Sequence, residues 1–418
     1  MEEIKFALDT FYAVMAGALV MWMAAGFTML EAGMIQSKNA SAIVTKNLGL
    51  YSIACIMYLM CGFILMYPGG ALIDGVIPSI GTSLGLSTSM DNADIGIPYG
   101  MDYSQQADFF FQVVFVATAM SIVSGAVAGR MKIVPFFLFA VVLTGFIYPI
   151  QGYWNWGGGF LSEMGYSDYA GSGTVHLCGA AAALAVVNVL GPRKGKYNSD
   201  GSSNVIPGSN IPMAALGVWI LWLGWFGFNG GSELVVSNEA AAIAVSQVFL
   251  NTNIAAAGGV VATLITSQVV TKKMDITMAM NGAIAGLVAI TAAPSAPTAG
   301  AALMIGAVGG IIVYFSLIIL DRRFGIDDPV GAISAHGVVG IWGVMAVVFT
   351  GGSLVSQFVG VLAIAGFTYA MSLLTILFID KFLPIRATDE EQELGLDAVE
   401  TGVKSTTCLL YTSDAADE

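Results

Sequence analysis

Charged residues are scarce in this sequence. Lys, Arg, Asp and Glu together make up 10% of its 418 residues, whereas hydrophobic residues make up 56%. A soluble domain carries roughly 25% charged residues, so a water-soluble globule is excluded. A membrane-spanning helix needs ~20 consecutive apolar residues, which leaves room for about ten or more such helices and for no second, hydrophilic domain.

Cysteine and histidine are also rare. The chain has four cysteines and two histidines. Cys55, Cys61, Cys178 and Cys408 show no C-x-x-C or metal-like spacing, so neither a disulfide framework nor a zinc site is indicated. We expect no metal, no cofactor and no enzymatic activity. The net charge of −13 comes from acids that lie mostly in loops and in the C-terminal tail. It therefore indicates a solubilising bias, and not a nucleic-acid partner.

Eleven long apolar runs cover most of the chain. Lipid offers no hydrogen-bonding partners to an exposed backbone, so runs of this length must be helices. The predicted fold class is an all-α polytopic membrane protein with eleven transmembrane helices in a lipid bilayer. These lie near residues 11–34, 45–67, 109–128, 133–151, 174–191, 211–229, 243–269, 276–292, 300–320, 334–350 and 355–379.

Lysine and arginine are missing from every second connection between these helices. Fourteen of the fifteen basic residues lie at the odd-numbered connections or after the last helix, and only Lys5 lies on the opposite side. Because basic residues stay on the cytoplasmic side, the N-terminus is predicted to be outside and the C-terminus inside. We expect a multi-pass protein of the plasma (inner) membrane.

Composition divides the chain into three segments. Residues 1–385 form the transmembrane domain, in which the loop at residues 69–106 is an external cap. Residues 386–407 form a short polar cytoplasmic tail. Residues 408–418 are similar to an in-frame translation of a transposase adapter used in preparing sequencing libraries, so we expect the natural C-terminus to be missing from this sequence.

Both histidines fall near the start of an apolar run. An ionisable group inside a membrane-spanning helix is costly and by default indicates function. For a single histidine, the alternative is a role in helix packing. His176 lies in the fifth predicted helix and His336 in the tenth. Because five is an odd number, helices 1–5 and 6–10 enter the membrane from opposite sides, which is an inverted repeat. That symmetry predicts that the histidines are partners on one pathway.

Three aromatic clusters lie at the external ends of predicted helices. They are FFFQVVF at 109–115, Trp156 followed by three glycines, and GWFGFNGGS at 224–232. For any single ring, an aromatic belt at the membrane interface is the alternative. Ring faces attract partly dehydrated cations, so the three clusters together favour a cation-binding vestibule.

The combined blocks resemble the ammonium transporter family (Amt/Mep/Rh), and specifically its Amt branch. DYAGSGTVHLCGAAAAL at 168–184 is similar to the family signature. GWFGFNGGS, GAIAGLVAIT at 282–291 and DDPVGAISAHGVVGIWG at 327–343 are similar to further family blocks in the same order. The resemblance covers about residues 10–395. It implies ammonium transport for nitrogen uptake by a homotrimer whose subunits each contain a pore.

The resemblance also implies roles for individual residues. Phe111, Trp156 and Ser232 fall on the family's external substrate-binding positions. Phe115 and Phe228 fall on its stacked pore gate. Ammonium is then expected to bind outside through cation–π attraction and the Ser232 hydroxyl, to lose its proton, and to pass the gate as ammonia.

Further positions concern the pore and its regulation. His176 and His336 fall on the family's twin histidines, which pass a proton along the pore, and Asp168 falls on an acid that shapes the vestibule. Thr291 is implied to border the site. Gly129 departs from the family pattern, in which many members have Glu, and this affects cytoplasmic contacts more than conduction. The tail resembles the start of a regulatory C-terminus, which implies a PII-type protein as a candidate partner.

Alternatives to a conducting transporter stay open from the sequence. One is a non-conducting ammonium sensor with the same vestibule, and another is an Rh-type gas channel. Trp156 disfavours the latter, because that branch usually has an aliphatic residue there. A K⁺ channel or Na⁺-coupled symporter would need a carbonyl filter or carboxylate ion sites, and the sequence indicates neither. Whether the proton accompanies ammonia is not determined.

The topology can be tested by labelling from the two faces of the membrane. We expect a cysteine at Ser79, in the second connection, to react with an impermeant thiol reagent added outside. A cysteine at Ser199, in the fifth connection, should react only from inside, because the basic residues lie on its side. Labelling of both from the same face would contradict the predicted orientation.

Overall fold

The computed structural model describes residues 1–86 and 102–405. Residues 87–101 of the predicted external cap, the last two residues of the predicted tail and the adapter-like segment at 408–418 lie outside the described residues. In the described part, ten helices are long and apolar enough to cross a membrane. They are α1 Glu2–Met34, α2 Ser37–Met66, α3 Gln105–Ala126, α4 Ile133–Glu163, α5 Ser172–Leu190, α6 Ile211–Gly231, α7 Glu239–Thr271, α9 Ala299–Phe324, α10 Ile333–Thr350 and α11 Leu354–Phe382.

An eleventh apolar helix, α8 Ile276–Ile290, lies at the predicted position but has only 15 residues. Every residue of this helix from Ala279 to Ile290 is buried. A helix enclosed by neighbouring helices does not have to match the lipid thickness by itself, which allows the shorter length. The predicted all-α class and order of helices are confirmed, and most helices extend beyond their predicted apolar runs into polar ends.

Four of these helices are built from more than one piece. Each contains a π-helical turn with one extra residue, and such turns are common at functional positions. In α2 the turn is Tyr58–Gly62, between Ala40–Met57 and Phe63–Met66, after a 3₁₀ turn at Ser37–Asn39. In α4 it is Leu143–Ile147, between Ile133–Val142 and Tyr148–Asn155, with Phe160–Glu163 following. In α5 it is Ser172–Leu177 before Cys178–Leu190, and in α10 it is Ile333–Val338 before Val339–Ala346 and the 3₁₀ turn Val347–Thr350.

Short elements close the two ends of the bundle. The described part of the external loop contains a small antiparallel hairpin, β1 Ala71–Ile73 and β2 Ile77–Pro78. The opposite end is covered by the tail, which forms α12 Asp389–Leu394 and a π-helical turn at Asp397–Thr401. Thr388 and Glu391 make a capping box that starts α12.

The tail packs against the connections at the predicted cytoplasmic end. Asp397 accepts a hydrogen bond from the Ala42 backbone nitrogen at 2.9 Å, and Glu400 accepts one from Ile133 at 2.8 Å. Lys132 forms an ion pair with Glu391 at 3.0 Å. The sequence predicted only a polar tail, because such contacts depend on connections that are about 260 to 360 residues away in the chain.

A buried arginine organises the same end of the bundle. Arg130 donates to the carbonyl oxygens of Asp327 and Ala126, both at 2.6 Å, and Arg193 forms a bidentate pair with the Asp327 carboxylate. Burial raises the pKa of Asp327, but the hydrogen bonds from Arg193 and the charge of Arg130 outweigh it and lower that pKa to about 2. Gly129 precedes the arginine with φ +79°, a backbone conformation that favours glycine.

Helices α1 and α6 approach each other closely along a line of glycines. A Cβ added at Gly217 would lie 2.6 Å from the Gly26 carbonyl oxygen, and one at Gly227 would lie 2.6 Å from the Ala16 carbonyl oxygen. Small residues allow this close contact in a membrane, where helices associate through packing and not through the hydrophobic effect. Because α1 and α6 begin the two five-helix sets, their contact joins the two sets.

We expect Gly217→Ala to destabilise the fold by about 1–3 kcal/mol, the usual cost of overpacking a close contact. The matched control is Gly366→Ala in α11, where an added Cβ meets no atom within 4 Å, so the stability should stay the same or rise. The measurement is thermal unfolding of both variants in detergent. Equal melting temperatures for the two variants would contradict the role of this contact.

Candidate functional site

A cavity of about 370 Å³ opens at the predicted external end of the bundle. Its walls are mainly aromatic, with a few polar side chains. They consist of Phe63, Tyr67, Tyr103, Asp108, Phe111, Gln112, Phe115, Trp156, Tyr169, Ser232 and Leu234. The three residues predicted for substrate binding, Phe111, Trp156 and Ser232, are therefore brought together from α3, the end of α4 and the end of α6.

The aromatic rings at the base of this cavity have a defined arrangement. Phe111 and Phe115 lie one turn apart on α3, with an edge-to-face contact at 4.8 Å. Trp156 makes a second edge-to-face contact with Phe115 at 6.0 Å. Its indole nitrogen donates to the Asp168 carbonyl oxygen at 3.0 Å, which holds the ring in place. Ring faces so positioned can attract a cation.

Ser232 contributes a polar oxygen to the same cavity. Its hydroxyl donates to the Phe228 carbonyl oxygen at 2.9 Å. Because the hydroxyl hydrogen is used in this bond, the lone pairs of the oxygen remain to accept a hydrogen bond from a molecule in the cavity.

Phe115 and Phe228 close the base of the cavity. Their rings are stacked, with centroids 4.0 Å apart and an interplanar angle of 24°, and both are fully buried. The structure thus brings together the two residues predicted for the gate. At this distance the two rings are in direct contact with each other.

The two histidines lie directly beyond the stacked pair of Phe115 and Phe228. His176 stacks against Phe228 with centroids 5.3 Å apart, and His336 stacks against His176 at 5.1 Å. The two Nδ1 atoms are 3.2 Å apart, within hydrogen-bonding distance, and both side chains are buried. Four rings therefore form one continuous column from the cavity into the centre of the bundle.

Both histidines are positioned by the same local device. His176 follows Gly171 by five residues and His336 follows Gly331 by five, and both glycines have positive φ, +108° and +80°. Each histidine lies in a π-helical turn. An aspartate stands eight residues before each histidine, Asp168 in the first copy and Asp328 in the second. The spacing D-x-x-G-x-x-x-x-H was readable in the sequence, but the Asp328 equivalence was missed.

The two aspartates hold the starts of these turns. Asp168 Oδ2 accepts hydrogen bonds from the Gly173 and Thr174 backbone nitrogens at 3.0 and 2.7 Å, and Asp328 Oδ2 accepts one from Ile333 at 2.7 Å. Burial raises the pKa of both carboxyls above the ordinary value, against hydrogen bonds that lower it. Asp168 is not among the described residues that line the outer cavity.

Thr291 is connected to the histidine column through one intervening side chain, Trp225. Its hydroxyl accepts a hydrogen bond from the Trp225 indole nitrogen at 2.8 Å, and Trp225 stacks against His176 with centroids 4.9 Å apart. Asn229 also accepts a hydrogen bond from the Thr291 hydroxyl, at 3.1 Å. Trp225 was not predicted as a site residue, although it stands within the GWFGFNGGS block.

Beyond His336 the passage is narrow. A small cavity of about 10 Å³ lies between Phe27, Glu31, Asn281 and His336, which is about the space that a single water needs. A larger polar cavity of about 380 Å³ follows toward the cytoplasmic end and shares Asn281 as a lining residue. Two wide cavities, a mainly aromatic one at the external end and a more polar one at the cytoplasmic end, thus flank a constricted centre.

Sequence reasoning missed two polar residues of the outer cavity. Asp108 and Gln112 both line it, and both are buried. A signal was present, because the two stand four residues apart near the start of an apolar run and therefore on one face of a helix. The resemblance did not single them out.

Comparisons with known proteins agree with this architecture. The profile described as Ammonium Transporter Family matches residues 11–406. The chain is 39% identical to "Ammonium transporter Amt2" of Archaeoglobus fulgidus, over 96% of this chain and 88% of that protein. It is 33% identical to "Ammonium transporter" of Bacillus subtilis, over 95% of this chain and 98% of that protein.

Solved structures with the same fold include a sensor and a yeast protein. "Sensor Amt Protein" superposes with a TM-score of 0.88 at 34% identity, covering 96% of this chain and all of that one. Candida albicans Mep2 superposes with a TM-score of 0.80 at 26% identity, covering 94% of this chain and 89% of that one. With the apolar helices, these matches indicate a multi-pass plasma-membrane protein that is not an enzyme, and the chain belongs to the ammonium transporter family.

Proposed function

We propose that this protein takes ammonium from the external cavity, removes its proton and conducts ammonia through the centre of the bundle. The observation that supports this most directly is the column of rings from Phe115 through Phe228 to His176 and His336. It combines an aromatic floor, a narrow passage and two groups able to carry a proton.

Recruitment rests on the external cavity. The rings of Phe111 and Trp156 offer cation–π attraction, and Ser232 offers an acceptor oxygen. In a partly dry site each such contact is worth ~1–2 kcal/mol, which offsets part of the dehydration of ammonium. This assigns Phe111, Trp156 and Ser232 as the substrate-binding residues.

Selection rests on the passage beyond the gate. Moving a bare monovalent ion into apolar surroundings costs many kcal/mol. Ammonium avoids that cost by leaving its proton behind and passing between Phe115 and Phe228 as neutral ammonia. K⁺ has a similar radius but no proton to lose, so the passage excludes it for a chemical reason.

The histidine pair supplies the route for the proton. Two neutral imidazoles that share one hydrogen between their Nδ1 atoms must have opposite tautomers. One ring then presents a bare Nε2 and the other an N–H, so accepting a proton at one end and releasing one at the other reverses the pair. If the proton follows this route, transport carries charge; if it returns outside, transport is electroneutral.

A sensor that does not conduct is the second candidate. The observation in its favour is the superposition on a protein named "Sensor Amt Protein". The buried histidine pair favours transport, because a receptor that only binds ammonium in the outer cavity does not need a proton-carrying pair below a gate. Trp156 in the outer cavity also favours the Amt branch over an Rh-type gas channel.

We further propose that the protein forms a homotrimer and that a PII-type protein contacts its cytoplasmic face. The trimer is supported by family membership and by exposed apolar side chains on helix faces, among them Trp219 and Leu223. The PII contact is supported by a tail that is folded over the cytoplasmic connections. Native mass spectrometry of the purified protein, alone and with a PII protein, tests both.

The histidine pair is tested by current and ammonia-flux recording on reconstituted protein. We expect wild type to transport ammonium, and His176→Ala or His336→Ala to abolish the ammonium-driven current or lower it sharply, because either change removes half of the relay. His176→Glu is expected to retain transport while admitting K⁺, since a fixed carboxylate favours a cation. The ratio of current to flux shows whether the proton crosses.

The matched control is Ser246→Ala on the exposed face of α7, which changes a polar residue of a span without touching the column. It should transport as wild type does. If both histidine variants transported ammonium at wild-type rates, the relay would be wrong and the histidines would be packing residues. Ammonium binding without flux in wild type would instead support the sensor.

Trp156 separates a binding role from an interface-belt role. Trp156→Leu should weaken the apparent affinity for ammonium by about tenfold for each 1.4 kcal/mol of cation–π attraction lost. It should also reduce discrimination against methylammonium, because the indole narrows the cavity. The measurement is concentration-dependent uptake of both substrates at equal protein density.

The control for Trp156 is Trp22→Leu, which removes an indole that is 55% exposed on α1. We expect its half-saturation concentrations to match those of wild type. Unchanged half-saturation for both substrates in Trp156→Leu would remove Trp156 from the site and leave the aromatic belt as its role.

A further inference from the structure

Two polar side chains on α3 face the outer cavity beside the aromatic site. Asp108 and Gln112 are one helical turn apart, in the same stripe that carries Phe111 and Phe115 into the cavity wall. Residues four apart on a helix lie on one face. The aspartate stands nearer the start of the helix and therefore nearer the external end.

Asp108 is a buried acid with little to compensate its charge. Asp108 is only 3% exposed. The Tyr103 hydroxyl donates a long hydrogen bond, 3.3 Å, to its Oδ1. Among the described residues that line the cavity there is no lysine, arginine or histidine. A buried carboxylate is costly unless it is paired with a positive group, so a cation that entered the cavity would stabilise it.

Gln112 presents an acceptor with no use inside the described protein. Gln112 is 7% exposed, and the oxygen of its side-chain amide, Oε1, has no hydrogen-bond partner among the described residues. Buried polar atoms are nearly always hydrogen-bonded, so this acceptor, which lines the cavity, is available to a donor that enters it. The donor must be small, because the atom is enclosed.

We propose that Asp108 and Gln112 form a second ammonium site in the outer cavity, which a cation occupies before it reaches Trp156 and Ser232. The proposal rests on the proposed function, because it takes ammonium as the substrate. It adds an ionisable carboxyl group to a vestibule whose other predicted ligands are neutral.

The chemistry of the site fits an ammonium ion or a small primary ammonium ion. Such an ion has several N–H donors pointing in different directions, and the carboxylate and the amide oxygen are both acceptors. The rings of Phe63 and Tyr67, in edge-to-face contact at 5.6 Å, line the same end of the site and offer aromatic surface to the remaining N–H groups.

The cavity has room for both sites. A volume of about 370 Å³ is far more than the ~10–15 Å³ that one water needs by the same kind of measure. Because Asp108 and Phe111 lie on the same helical stripe, an ion released by the carboxylate moves along α3 to the aromatic floor. The charged site thus raises the local concentration of ammonium above the gate.

The test is the concentration dependence of ammonium uptake by full-length protein in liposomes. Asp108→Asn keeps the size of the side chain and removes its charge, and should raise the half-saturation concentration about tenfold, as expected for losing one hydrogen bond to a charged group. The maximal rate should stay within about twofold, because the gate and the histidines are unchanged. Gln112→Met removes the acceptor at similar volume and should raise half-saturation about threefold.

The matched control is Asp74→Asn, which removes the same charge from an exposed position on the external hairpin. We expect no change from wild type. Repeating the measurements at high lithium chloride concentration, where the Debye length falls below about 8 Å, separates direct contact from long-range attraction. A binding site keeps its defect in high salt, whereas general attraction by charge loses it.

An unchanged half-saturation in both Asp108→Asn and Gln112→Met would overturn the second site, and so would an Asp108→Asn defect that disappears in high salt or is shared by Asp74→Asn. These outcomes are distinct from failure of the proposed function, in which wild type itself would take up no ammonium. If Asp108→Asn is not recovered as folded protein, Gln112→Met decides alone by the same criterion.

Discussion

The hydrogen bond between His176 and His336 joins the two halves of this bundle at its centre. It requires two buried rings whose Nδ1 atoms are 3.2 Å apart and which share a single hydrogen. An imidazole without a hydrogen-bond partner is costly in an apolar interior. Each ring therefore depends on the ring that the other half of the bundle supplies. The neighbouring side chains hold the two rings in this position. Phe228 and Trp225 both stack against His176, and the space beyond His336 is constricted.

The same device occurs once in each half. An aspartate holds the backbone nitrogens at the start of a π-helical turn, a left-handed glycine begins that turn, and the histidine follows five residues after the glycine. The extra residue of a π turn changes which way the side chain points relative to a regular helix. Two copies facing each other therefore bring two side chains from separate halves to one point. The aromatic cluster, in contrast, occurs only once: the described residues that line the inner polar cavity include no second copy of the cluster that lines the outer cavity.

Several elements were predictable because they depend on local composition. The eleven helices follow from apolar runs, and the gathering of basic residues at one end follows from their alternation between connections. The residues predicted for the vestibule and gate were found through resemblance. The structure places them, Phe111, Phe115, Trp156, Ser232 and Phe228, around one cavity and its floor. Asp108, Gln112 and Trp225 were not predicted, because a polar or aromatic residue in a span has no assigned neighbour until the helices are packed.

The sequence by itself determined that this chain spans a membrane with eleven helices, because lipid forces long apolar runs to satisfy their own backbone hydrogen bonds. It also determined that two histidines 160 residues apart stand at equivalent places of two five-helix sets. Only the tertiary structure decided that these rings touch, that Phe115 covers Phe228, and that the tail lies against the connections of α1 and α3. The reason is physical: hydropathy and charge act residue by residue along the chain, whereas stacking and shared hydrogen bonds depend on distances of a few ångströms between helices that the chain order does not specify.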